Sequence, residues 1–132
     1  MDAAPVTRRI LVAEDETDIR DLLRLALTAA GYEVETAPDG GAAWELAVAR
    51  PPELVVTDLR MPGMDGLELI RALRSEPSLS GTPVILFTAY VSSDPRVSEA
   101  GQIWGVEVVT KGSIAELRRV VARLLRGEAA KP

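Results

Sequence analysis

Leu54-Val55-Val56-Thr57-Asp58-Leu59-Arg60-Met61-Pro62-Gly63-Met64-Asp65-Gly66 is the stretch that decides how this chain reads. Leu54 to Thr57 form an apolar run of strand length. Asp58 closes the run, and Pro62, Gly63 and Gly66 mark a turn-rich segment after it. A carboxylate at the carboxyl end of a buried strand is costly to desolvate unless something offsets its charge. In open α/β sheets that same end is where ligands bind.

Outward from this stretch, strand-like and helix-like segments alternate five times. Ile10 to Ala13 is a short apolar run ending in Glu14-Asp15-Glu16, read as a first strand. Thr17 or Asp18 is the expected cap of a helix to Ala30, striped by Ile19, Leu22, Leu23 and Ala26 and stopped by Gly31. Tyr32 to Ala37 reads as a second strand with Val34 inward, followed by an Asp39-Gly40 turn. Ala42, Ala43, Leu46 and Ala47 mark a second helix ended by Pro51-Pro52. Leu67, Ile70 and Leu73 stripe a third after Asp65-Gly66. Pro83 to Thr88 is a fourth strand, a short helix falls within 94–103, and Val106 to Val109 is a fifth strand. Leu117, Val120, Val121, Leu124 and Leu125 stripe the last helix. Continuous apolar strands favour a parallel sheet covered on both faces. Regular alternation gives the same answer, a doubly wound α/β domain with right-handed crossovers.

The 132 residues fit one domain, expected over 8–126, with 1–7 as a flexible N-terminus and 127–132 as a flexible tail or the start of a linker. A chain of this size buries roughly two-thirds of its unfolded surface. Net charge is −5, so no bulk basic field points to nucleic acid. The absence of cysteine excludes disulfides and thiolate chemistry, and the absence of histidine removes the commonest general base and zinc ligand. No stretch has signal-peptide or membrane-spanning character, which makes the cytoplasm the expected location.

In a parallel sheet the ends of the first and third strands share one edge, so Glu14, Asp15 and Asp58 converge. Carboxylates packed together repel unless a cation joins them. Oxygen-only ligands point to a hard ion such as Mg²⁺, which takes one or two carboxylates and commonly completes its shell with phosphate oxygens. Asp58 then has two available jobs, metal ligand and nucleophile toward phosphorus. Thr88 ends the fourth strand with a hydroxyl, and Lys111 follows the fifth with a compact positive charge. Phosphoryl transfer needs positioning and charge stabilisation more than acid–base machinery, and these groups supply both. Each residue alone has an ordinary structural reading as a cap, turn or surface residue. Their joint placement at four strand ends is far more specific than any one of them.

On Glu14-Asp15, the Asp58–Gly66 run, Thr88-Ala89 and Lys111, with weaker support from Asp39-Gly40, the chain closely resembles the receiver domains of bacterial two-component response regulators over about 9–126. The resemblance implies a flavodoxin-like five-stranded sheet of order 2-1-3-4-5 with five helices. It implies a phosphoacceptor switch rather than a turnover enzyme. A histidine kinase or histidine phosphotransfer protein donates to Asp58. Asp15, Asp58 and the backbone carbonyl of Arg60 bind Mg²⁺, with Glu14 acting through water. Lys111 pairs with the phosphoryl group, and Thr88 moves to bond it. Arg60 and Tyr90 flank the water path and tune the lifetime of the phosphoryl aspartate. Downstream stands an unknown protein or a C-terminal output domain. No direct nucleic-acid or membrane binding is implied.

Three departures from the family pattern bear on output. Gly112 stands where proline usually follows the lysine, so a trans Lys111-Gly112 bond is expected. Val108 replaces the usual aromatic switch residue of the fifth strand and has little rotamer freedom. Gly101 and Trp104 replace a leucine-like residue and a glycine, making 90–105 the expected mobile or remodelled face. The expected output face is the fourth helix, fifth strand and fifth helix, signalling by an altered route. The alternative is a phosphorylation-independent receiver-fold interaction module, favoured by Val108 and Gly112. A Mg²⁺-dependent phosphatase lacks the second carboxylate two residues after Asp58, where Arg60 stands. Trp104 reads equally as core or contact. Arg118, Arg119, Arg123 and Arg126 read as a solvated face or a docking surface.

Overall fold

The alternation of apolar runs and amphipathic stretches becomes an alternation of strands and helices. The computed structural model describes residues 7–89 and 93–127. Its elements are β1 (Arg9–Ala13), α1 (Thr17–Ala29), β2 (Glu33–Ala37), α2 (Gly40–Ala49), β3 (Leu54–Thr57), α3 (Gly66–Ser75), β4 (Val84–Thr88), α4 (Pro95–Gly101), β5 (Val106–Thr110) and α5 (Ile114–Leu125). All four strand pairings are parallel, in the order β2-β1-β3-β4-β5. The expected doubly wound, flavodoxin-like sheet is therefore present. Residues 1–6 and 128–132, most of the expected flexible ends, lie outside the described residues. Among the described residues no helix is long and apolar enough to cross a membrane.

Alternate strand residues feed two cores. Leu11, Val55, Val84 and Leu86 pack with Ala43, Ala47, Leu69, Ile70, Leu73, Val97 and Ala100 from α2, α3 and α4. Ile10, Val12, Leu54, Val56, Ile85 and Phe87 pack with Leu23, Leu27, Leu117, Val121 and Leu124 from α1 and α5. The central strands β1, β3 and β4 are buried throughout because helices cover both faces. The edge strand β2 keeps polar residues at Glu33, Glu35 and Thr36. Arg9 is buried at the start of β1; it pairs with Glu35 at 2.9 Å and donates to the Arg50 carbonyl, which satisfies its charge.

Capping fixes where the helices begin. Asp65 and Glu68 form a capping box at α3, each side chain 2.9 Å from the other's backbone N–H. Asp94 caps α4, with Pro95 at its first position. Ser113 caps α5. Two expectations need correction. The cap of α1 is Glu16, without a side-chain bond, rather than Thr17 or Asp18. Asp39-Gly40 is no free turn: Asp39 caps α2 by accepting from the Ala42 N–H at 2.8 Å, and Gly40 opens the helix. A Cβ on Gly40 would lie 2.2 Å from the Met64 carbonyl oxygen, so the close approach of α2 to that loop requires glycine.

The unusual residues Gly101 and Val108 are neighbours across α4 and β5. Gly101 is the last residue of α4, and a Cβ there would meet Val108 Cγ2 at 3.5 Å, an ordinary contact. Gly101 also lacks the positive φ that favours glycine. Gly101→Ala is therefore expected to raise stability by about 0.4–1 kcal/mol, by reducing unfolded-chain entropy. Urea denaturation measures this, and a lower midpoint would show that the Val108 contact is tighter than it looks. Trp104 is 57% exposed, so it is not core. Its carbonyl accepts from Arg74 Nε at 2.9 Å, and its ring sits 5.8 Å from that guanidinium. No cis peptide occurs among the described residues, so Lys111-Gly112 is trans, and Gly112 takes φ +123°.

Candidate functional site

Parallel register brings the chemistry-bearing residues to one edge. Ala13 aligns with Thr57, so the acidic pair after β1 stands level with Asp58 after β3. The Asp58 N–H donates to the Ala13 carbonyl at 3.0 Å, and the Lys111 N–H donates to the Thr88 carbonyl at 3.0 Å. One carboxylate oxygen from each of Glu14, Asp15 and Asp58 lies within 4.8 Å of the others. The start of α3 presses on the same point: a Cβ on Gly66 would lie 2.1 Å from the Asp58 carbonyl oxygen.

Lys111 supplies the nearest positive charge. Its Nζ lies 2.9 Å from Glu14 Oε1 and 2.9 Å from Asp58 Oδ2. The pairing with Glu14 is an arrangement that sequence reasoning did not anticipate. Glu14 is 1% exposed; burial pushes its carboxyl above the usual range, against the lowering effect of the Lys111 hydrogen bond. Burial alone would lower the Lys111 ammonium, but hydrogen bonds from it to Glu14 and Asp58 outweigh this and raise it overall. Asp58 Oδ1 accepts from the Leu59 N–H at 2.7 Å, which orients the carboxylate and leaves Oδ2 to the lysine. Asp15, by contrast, is exposed and makes no ion pair among the described residues.

The donor set fits a magnesium ion. Three carboxylates and one ammonium leave two uncompensated negative charges, matching one hard divalent cation. All the side-chain donors are oxygens, and the exposed Asp15 leaves room for the water ligands that magnesium retains.

A cleft of about 380 Å³ opens beside this cluster, lined by Asp15, Arg60, Met61, Gly63, Asp65 and Arg96. The Arg60 guanidinium lies 2.9 Å from Asp94 Oδ2. Arg96 pairs with Asp65 and sits 3.5 Å from Asp94 Oδ2. Asp94 is held below the usual carboxylate range, first by the Arg96 backbone N–H and then by its two arginines. Sequence reasoning missed Asp65, Asp94 and Arg96 as site residues. Asp65-Gly66 was legible as a helix start and the fourth helix was placed only within 94–103, and nothing local indicates that the caps of both helices share an arginine. Thr88 is fully buried at the end of β4, and Val108 packs half-buried against the α2–α4 side. Tyr90, the other expected rate-tuning residue, lies outside the described residues.

Comparison with known proteins agrees with this edge. The response regulator receiver domain family matches residues 10–122. Regulatory protein AtoC of Escherichia coli (strain K12) is 36% identical over 124 residues, covering 93% of this chain and 26% of AtoC. Curated relatives of this kind are longer proteins, of which this chain spans 20% to 57%. The signal receiver domain of a histidine kinase from Syntrophus aciditrophicus has a TM-score of 0.83 at 34% identity, covering 92% of each chain. Response regulator protein TrrA of Thermotoga maritima, solved in complex with Mg²⁺-BeF, has a TM-score of 0.76 at 35% identity. It covers 89% of this chain and 99% of that one. A sheet of this order, with its acidic cluster at the carboxyl edge and a family match over most of its length, places this chain among the receiver domains of two-component response regulators, which are signalling switches.

Proposed function

We propose that this domain accepts a phosphoryl group on Asp58 from a partner histidine kinase or histidine phosphotransfer protein, and that the added charge switches the α4-β5-α5 face. The observation that carries this reading is the Asp58 carboxylate, oriented by the Leu59 N–H and held 2.9 Å from Lys111 within the acidic cluster. A carboxylate oxygen of Asp58 attacks the phosphorus of a phosphohistidine. The P–O bond forms as the P–N bond breaks, and the imidazole leaves with the electron pair and takes up a proton. Hydrolysis reverses the load: water attacks phosphorus and the aspartate leaves as carboxylate.

Lys111 follows the charge. Its Nζ bridges two carboxylates at rest and is placed to pair with a phosphoryl oxygen on Asp58. Thr88 presents its hydroxyl from the neighbouring strand end as the reader of that oxygen. Asp15, Asp58 and the Arg60 carbonyl would hold Mg²⁺, with Glu14 acting through water. When bound, the ion neutralises charge on the phosphoryl oxygens. Beside Lys111, Ile19, Leu22, Phe87 and Ile114 line a largely apolar pocket of about 200 Å³, which would take an apolar side chain of a donor domain. Arg60 and Tyr90 would set the lifetime of the acyl phosphate; an unchanged hydrolysis rate after Arg60→Ala would remove that role from Arg60.

The functional unit on this reading is residues 8–126, working in the cytoplasm, with its output read by a separate protein or an attached domain. Transfer of radiolabelled phosphate from a phosphorylated histidine kinase tests it. Wild type should take up hydroxylamine-labile label, and Asp58→Ala should take up none. Equal labelling of both proteins would sink the assignment of Asp58. Absence of label from both, alongside retained partner binding, would favour the phosphorylation-independent module.

A further inference from the structure

We propose that the ion-pair chain Asp65–Arg96–Asp94–Arg60 couples the Asp58 loop to α4, with Arg60 as the part that moves: a phosphoryl group on Asp58 draws Arg60 off Asp94, and the first turn of α4 readjusts. The inference rests on the reading of Asp58 as phosphoacceptor and adds the route by which its charge leaves the site.

Asp94 is the pivot. Its side chain is 6% exposed, and its two oxygens are fully engaged. Oδ1 accepts the Arg96 backbone N–H at 3.0 Å and so caps α4. Oδ2 accepts from Arg60 at 2.9 Å and lies 3.5 Å from Arg96. A buried carboxylate that loses one of two cations cannot stay as it is, because the remaining charge is under-compensated. The available response is to pull Arg96 closer. Arg96 is the second residue of α4, so the helix start must follow.

The two ends of the chain differ in rigidity. Asp65 is fixed by its capping box, and α3 begins against the Asp58 carbonyl. Arg60 stands only two residues beyond Asp58, is 56% exposed along its side chain, and lines the same cleft as Asp15. A guanidinium offered a doubly charged phosphoryl group and a singly charged carboxylate favours the former, which it can grip bidentately. The chain also supplies what β5 lacks. Val108 has no ring to swing, and its Cγ2 stands 3.5 Å from where a Cβ on Gly101, the last residue of α4, would lie, so motion begun at Asp94 arrives at the same face from the helix.

The test uses the full chain, isotopically labelled, with Mg²⁺ and beryllofluoride as a phosphoryl mimic. Amide shifts at Leu59 and Lys111 report occupancy of the site, and those from Arg96 to Gly101 report α4. Wild type should shift in both sets. Asp94→Asn keeps a cap acceptor and removes the charge. It should shift at the site but lose most of the α4 response, and by reciprocity it should bind the mimic about fivefold tighter. Arg60→Gln, read at saturation so that affinity drops out, should likewise lose the α4 response, and it decides the matter if Asp94→Asn disturbs the helix at rest. A full α4 response in Arg60→Gln would overturn the coupling. No site shift in saturating mimic, even in wild type, would remove the phosphoacceptor reading and the coupling with it.

Discussion

Replacing Lys111 by methionine is expected to lower stability by about 3 kcal/mol in magnesium-free buffer and by clearly less in millimolar Mg²⁺. Methionine roughly conserves the length and apolar stem of lysine, so little of this loss comes from a cavity. It comes from charge. Glu14 is 1% exposed and Asp58 is 7% exposed, and each has the same ammonium 2.9 Å away. Removing that ammonium leaves two buried carboxylates facing Asp15 with no cation among them. Breaking a buried pair costs about 3–5 kcal/mol, and the partial exposure of Lys111 argues for the low end. A divalent cation binding the native cluster and not the unfolded chain would recover part of the loss by mass action. Urea denaturation with and without Mg²⁺ measures both quantities. An identical loss in the two buffers would mean that the cluster does not take up the ion. No loss at all would mean that Lys111 is dispensable to the resting site. The same variant should also accept phosphoryl label poorly, because Lys111 is the cation paired with Asp58 Oδ2 at 2.9 Å and placed for the incoming phosphoryl oxygen.

The strand ends were legible in the sequence because they depend on local pattern. Apolar runs such as Leu54 to Thr57 fix which residues are buried, and alternation with amphipathic stretches dictates parallel strands. Once the strands are parallel, whatever follows β1, β3, β4 and β5 must meet at one edge. Glu14, Asp15, Asp58, Thr88 and Lys111 were reached by that step alone. Helix starts were less legible where two residue types compete for one position. Asp39-Gly40 reads as a turn pair, yet the helix begins there because Gly40 admits the Met64 carbonyl, a contact far away in sequence. The charged rim was not legible at all. Arg60 and Asp94 are 34 positions apart, and Arg96 and Asp65 are 31 apart. Surface arginines mostly meet water, and only the packed fold puts Asp94 under two of them. The departures at Val108 and Gly101 were each visible singly; their proximity was not.

Neighbouring carboxylates in this site should behave as opposites. Asp15→Asn is expected to weaken Mg²⁺ binding by at least about tenfold while leaving metal-free stability nearly unchanged. Asp15 is exposed and makes no ion pair among the described residues, so its charge stabilises nothing at rest. It is therefore wholly available to a cation. Glu14→Gln should do the reverse, with a smaller loss of Mg²⁺ affinity and a marked response in stability. Glu14 is buried, its carboxyl is raised by that burial, and its charge is already committed to Lys111 at 2.9 Å. An amide no longer carries the desolvation cost of a buried charge, but it has one acceptor oxygen where Glu14 uses two, Oε1 for Lys111 and Oε2 for the Glu16 N–H at 3.1 Å. One of those two donors then faces the amide NH2, so metal-free stability should fall by about 1–3 kcal/mol. Isothermal calorimetry for Mg²⁺ and urea midpoints for both variants provide the comparison. If Glu14→Gln loses more magnesium affinity than Asp15→Asn, Glu14 is the direct ligand. Lys111 would then have to leave it whenever the ion binds, and the resting pairing would be a barrier to metal uptake rather than its complement.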